Sequence, residues 1–300
     1  MEPNSIGVPP SQPVPQVQSQ NLSAGTFEGP VSLFKSSWIF FWKNWKTLVP
    51  IVILPIASFS LGQILVLFGN SILFIFVLVL FAIGMILSVA SQPAIIDAIH
   101  KLHNGIAAIV LVDQYKLGFK MFWSVIFLGI LQALILFGAS VLFIIPAFIV
   151  GIYLVMYMYT LVLDKKKGLQ SLTESYSLIT GRWFDVLGRL LFVGLVYIGF
   201  AIVVAGVSFV ISTIFGFKSN SIPQAVLSVI LNLILGGAMG TLVAVYLYKV
   251  YSSLKSTRKT DINVLSFKKW LIAFSVLGLI AMVAIFVAAI VFGSSFLMNQ

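Results

Sequence analysis

The chain has 300 residues, 60% of them hydrophobic and only 9% charged, with a mean hydropathy of +1.11 and a formal net charge of +10. No soluble domain needs so much apolar surface, so the composition predicts a polytopic membrane protein and leaves no soluble basic domain to carry nucleic-acid binding. The absence of cysteine excludes disulfides, thiol nucleophiles, zinc–thiolate centres and iron–sulfur clusters.

Residues 1–30 are rich in Pro, Gln, Ser and Gly and lack the basic start and apolar core of a signal peptide. They read as a disordered tail, because such a segment buries too little apolar area to offset its chain entropy. Residues 31–265 read as a six-span membrane domain, and 266–300 as an additional transmembrane helix. Helices are the expected spanning form: the apolar runs are continuous, without the two-residue alternation of a membrane barrel. The predicted fold is therefore an all-α bundle with interfacial amphipathic helices.

The stretch VSLFKSSWIFFWKNWK, 31–46, mixes aromatics and lysines at helical spacing and predicts an interfacial helix leading into span one, 47–68. Gly69 and Asn70 make a turn into span two, 71–92. PAIIDAIHKLH predicts a short amphipathic helix opened by Pro93 and ended by Asn104 and Gly105. From Phe122 to Leu163 no charge occurs over 42 residues. As one helix this run would be about 63 Å long, twice the hydrocarbon thickness, so spans three and four must form a hairpin, with Pro146 the expected break.

Asp164 and Lys165–Lys167 end span four. A second amphipathic helix is expected over 168–183, with Leu169, Leu172, Tyr176 and Ile179 on its apolar stripe and Ser171, Glu174 and Ser175 off it. Span five, 186–214, is longer than a bilayer requires, which predicts tilt or loosening near Gly206. The loop FKSNS leads to span six, 222–248, and span seven covers 270–293.

With the amino terminus inside, seventeen of the eighteen Lys and Arg residues fall on the cytoplasmic side and only Lys218 falls outside. All six tryptophans (Trp38, Trp42, Trp45, Trp123, Trp183, Trp270) then sit at the inner interface, where indole prefers to lie. The expected location is the plasma membrane, multi-pass, with the carboxyl terminus outside. FKSSWIFFWKNWK, YKLGFKMFW, ITGRW and SFKKW suggest a weak repeat. Its spacings are unequal, and any inward-anchored helix needs such a collar.

No Asp, Glu, Lys, Arg or His falls near the middle of a predicted span, where ion-coupled pumps keep one. Lys165, Lys166, Lys167, Arg182 and Arg189 are candidate lipid headgroup contacts: Arg182, Asp185 and Arg189 recur at i, i+3, i+7, and guanidinium groups suit phosphate. The alternative for Arg189 is simple snorkelling to the interface. Gln63, Gln132 and Asn232 are the strongest polar groups inside spans, candidates for a polar path or for interhelical hydrogen bonds. Gly236 and Gly240, at GxxxG spacing, allow close helix approach. Asp97, His100 and His103 recur every third residue but drift around a helix, so a solvated face is favoured over a metal site. No catalytic residue, cofactor or metal ligand is identified.

The segment from Phe143 to Leu191 carries Ile145 and Pro146, Gly168, Ser175, and Gly181 followed by Trp183. With the opening SSWIFFWKNWKTLVP, it resembles the bacterial family named for the membrane domain of glycerophosphodiester phosphodiesterase. The usual glycine after the Pro turn is Ala147 here, and the namesake's catalytic barrel is absent. The resemblance implies membrane location and fold, not hydrolysis. Three functional readings stand in order: a non-enzymatic module organising lipid or a partner protein at the inner face, including through a homodimer; a transporter or lipid-translocating protein; and an enzyme, which only Arg182, Asp185, Arg189 and the histidines near the inner interface support.

Overall fold

The structure, a computed structural model, describes residues 28–68, 71–106, 108–218, 221–257 and 264–298, with side chains to 290. The tail before Glu28, the Gly69–Asn70 turn, Arg258, Lys259 and Gln300 lie outside the described residues. Among the described residues there are helices and no strands, and seven helical stretches are long and apolar enough to cross a membrane. The chain is a polytopic helical membrane protein.

Helix α1 spans Pro30–Val66, α2 Ser71–His103 and α3 Leu111–Leu142. The fourth span is broken into α4, Ile144–Leu154, and α5, Tyr157–Val162. The short α6, Leu169–Ile179, precedes α7, Trp183–Phe215. The sixth span consists of α8, Ile222–Ile234, a π-helical turn over Leu235–Met239, and α9, Gly240–Ser256. The last helix is α10, Val264–Met298.

Several expected boundaries change. The aromatic segment 31–46 is not a separate interfacial helix but the first half of the continuous α1, and PAIIDAIHKLH is the end of α2, with Pro93 inside it. Apolar packing carries both helices across their prolines, and a neighbour repairs one of the lost bonds. Pro55 has no N–H for the Ile51 carbonyl, and the Tyr115 hydroxyl of α3 donates to that oxygen at 2.7 Å. The α3–α4 break falls at Phe143, whose backbone is extended, with Pro146 just inside the first turn of α4. α7 runs unbroken through Gly206, and the sixth span extends to Ser256, past the expected 248.

Helix ends follow local chemistry. α2 stops in a Schellman motif: Gly105 takes φ +82°, its N–H donates to Leu102 O, and Ile106 N–H donates to Lys101 O. Asn104 and Gly105 thus end the helix as expected. Gly216, at φ +64°, closes α7 in the same way.

Two apolar cores hold the bundle. One joins α1, α2, α5, α7 and α9 through Leu48, Ile51, Ile99, Tyr159, Val186 and Tyr246. The other joins α3, α4, α5, α6 and α10 through Leu128, Ile135, Leu154, Leu172 and Leu271. α10 lies against α3 where two glycines meet. A Cβ at Gly138 would fall 1.9 Å from Phe274 O, and one at Gly278 would fall 2.1 Å from Leu134 O. Gly236 and Gly237 receive Ile56 and Ile53 of α1, so the GGAMG segment packs within the chain.

Candidate functional site: the basic end of the bundle

The broken fourth span defines this end. Around Val155 and Met156 the α-helical ladder lapses, which in a membrane segment leaves backbone groups that other parts of the protein must satisfy. α6 does so with two serines. Ser175 Oγ donates to Tyr153 O at 2.7 Å and accepts from Met156 N–H at 3.1 Å. Ser171 Oγ lies 2.6 Å from Tyr157 O and 2.8 Å from Thr160 Oγ1. Both serines are fully buried. Ser171 and Ser175 lie off the apolar stripe of α6, as expected, but they are buried against the fourth span rather than solvated. Hydroxyl groups belong on a face that meets unpaired backbone. The apolar stripe itself stands: Leu172 and Ile179 are buried, and Tyr176 stacks on Phe267 of α10 at 3.6 Å.

The turn between α5 and α6 presents Lys165, Lys166 and Lys167, all exposed. Lys165 takes φ +54°, a left-handed conformation that costs a side-chain-bearing residue about 1–2 kcal/mol. Lys166 N–H reaches back to Thr160 O at 3.2 Å, and Gly168, at φ +54° and ψ −137°, starts α6. Asp164 fixes this turn to α9: one carboxylate oxygen pairs with Lys255 Nζ and the other accepts from Tyr251 OH at 2.7 Å. Tyr251 stacks on Tyr159, whose hydroxyl donates to Ala244 O at 3.1 Å.

Arg182 reaches the same end of α9, donating to the hydroxyl and carbonyl oxygens of Thr257. The lysine turn and Arg182 therefore both dock on the carboxyl-terminal end of α9. Arg189 sits deeper and is 5% exposed. It donates to Asp185 O at 2.7 Å and to the carbonyl oxygen of Glu28, two residues before α1, and its own carbonyl accepts from Tyr246 OH at 3.3 Å. Arg189 is thus packed inside the bundle, joining α7 to the start of α1.

A second polar group closes the end of α2. Asp97 pairs with Lys101 at 2.6 Å. Buried Gln114, with its amide oriented so that the nitrogen donates to Asp97 Oδ2 at 2.8 Å and the oxygen accepts from Lys101 Nζ at 3.1 Å, joins that pair to α3. His100 Nδ1 lies 3.0 Å from Tyr248 OH and Nε2 lies 3.1 Å from the Asn104 amide, while His103 stacks edge-on against Tyr248. The three residues of the DAIHKLH repeat thus serve different partners, and among the described residues no group of three His, Cys, Asp or Glu is placed to hold a metal ion.

Gln63 on α1 and Asn232 on α8 are exposed at the bundle surface, and Gln132 on α3 is half-buried. Five tryptophans (Trp38, Trp42, Trp45, Trp123 and Trp270) are exposed, while Trp183 is half-buried, its indole donating to Ile149 O at 3.3 Å.

Sequence reasoning missed Ser171 and Ser175, Asp164 as the organiser of the lysine turn, and the tyrosines that link the spans. The clusters YMYT and YLYKVY were the available signal, since a buried tyrosine needs a partner for its hydroxyl. Comparison of the chain with family models, curated proteins and solved structures finds no match.

Proposed function

We propose that this protein is a non-enzymatic membrane module that organises anionic lipid at the cytoplasmic face, with its amino terminus inside and its carboxyl terminus outside. The observation that carries the reading is the lysine turn. Three consecutive exposed ammonium groups are held on a braced loop, with Asp164 fixed by Lys255 and Tyr251 and the following helix fixed by Ser171 and Ser175. Such a turn meets the headgroup layer without first being ordered, and each basic residue near an anionic surface contributes about 1 kcal/mol. Exposed tryptophans on α1, α3 and α10 supply interfacial anchors.

The proposal includes kinship with the phosphodiesterase membrane-domain family. The residues that carry the resemblance have structural work in this chain: Gly168 and Gly181 adopt positive φ, Ser175 completes the broken span, and Trp183 bonds to α4.

Lipid composition around the reconstituted protein tests the reading. Purification from mixed bilayers should enrich anionic over zwitterionic lipid. The triple change Lys165→Ala, Lys166→Ala, Lys167→Ala should lower that enrichment severalfold. Unchanged enrichment, or protein-dependent flux of lipid or solute across sealed vesicles, would overturn the module reading in favour of a translocating protein.

A further inference from the structure

A groove of about 480 Å³ opens between α7 and α9, on the bilayer side of the bundle, lined by Leu190, Gly194 and Tyr197 of α7 and Gly240, Val243 and Leu247 of α9 among others. We propose that this groove is a specific lipid site, seating one acyl chain of an anionic phospholipid with its phosphate at the Leu190–Leu247 end. The inference rests on the bilayer reading of these helices and goes beyond the proposed surface contacts of the lysine turn.

Three observations select this occupant. The lining is almost wholly apolar, and it includes Gly194, where an added Cβ would meet nothing within 4 Å. Its length fits one leaflet. Leu190 to Ile198 covers about 12 Å of helix, close to half of a hydrocarbon core about 30 Å thick. Charge gathers at one end only. Arg189 lies on the face of α7 that continues through Val193 and Tyr197, one turn apart. Arg182, Lys249 and Lys255, with Lys165–Lys167 docked through Asp164, outnumber Glu28, Asp164, Glu174 and Asp185 there, and Arg189 lies buried behind them. At the far end of α7 the nearest cation in sequence is Lys218. A groove that is apolar along its length and cationic at one mouth matches a chain with an anionic head.

Two glycines of α7 make a controlled test. A Cβ at Gly194 or at Gly206 meets nothing within 4 Å, so both positions accept a larger side chain without a clash, but only Gly194 lines the groove. The full chain in detergent is titrated with phosphatidylglycerol or phosphatidylcholine and weighed by native mass spectrometry. The expected result is one retained phosphatidylglycerol, held in preference to phosphatidylcholine, lost in Gly194→Leu and kept in Gly206→Leu. Equal retention by Gly194→Leu, equal retention of the two lipids, or a dimer that Gly194→Leu dissociates would overturn the proposal, the last by making a second copy the occupant. This readout counts one stoichiometric lipid, whereas the lysine-turn experiment reads bulk enrichment, so either reading fails without taking the other with it.

Discussion

Spans four and five have nearly opposite designs. The apolar window of the fourth span is 44% buried, is broken at Val155–Met156, and is completed by side chains of another helix. The corresponding window of α7 is 6% buried, is continuous over its length, and satisfies its own backbone. A lone helix against lipid must keep every backbone bond internal. A helix sheathed by protein is free to break, provided its neighbours carry the right polar groups. The break brings a benefit: it lets the chain turn tightly into α6 and hold a lysine-rich loop at a fixed place.

That contrast is open to attack by mutation. Replacing Ser171 and Ser175 together by alanine leaves buried backbone groups of the fourth span without partners. Each uncompensated group costs about 1–3 kcal/mol, so the double variant should lose several kcal/mol of stability to unfolding in detergent. Ser212→Ala, which removes a side-chain bond within α7's own turn and one to Gln224, should cost much less.

Glycine separates packed from lipid-facing positions in the same way. Gly138→Leu places carbon against the backbone of α10 and should destabilise by about 1–3 kcal/mol or more, with α10 loosened toward limited proteolysis. Gly199→Leu on α7, where a Cβ meets nothing, should be neutral or slightly stabilising. A smaller loss, about 1 kcal/mol, is expected for Tyr115→Phe, which takes the donor from the Ile51 carbonyl beside Pro55. The smallest effect should be a gain. Lys165→Gly relieves a left-handed backbone and should raise the melting temperature slightly, while removing one of the three exposed ammonium groups.

The hairpin between spans three and four was legible because an uncharged run of 42 residues has no other way to fit a bilayer. The end of α2 at Asn104 and Gly105 was legible because a glycine cap is a local device. The headgroup candidates were legible as residue types but not as a set. Arg182 and the lysine turn come together only because both dock on α9, whereas Arg189 turns inward to Glu28. Gln63, Gln132 and Asn232 look alike in sequence, yet only Gln132 is half-buried while Gln63 and Asn232 are exposed.

The sequence by itself determined that this chain is a set of membrane helices, roughly where most of them turn, and that its positive charge is segregated. Those properties follow from apolar run length, local capping and the cost of placing charge in hydrocarbon, all of which act along the chain. Only the tertiary structure decided that the fourth span breaks, that serines of α6 complete it, and that Gly138 meets Gly278. Each of these depends on which helix faces which, because a backbone group in a dry bundle is satisfied by whatever side chain packing brings to it.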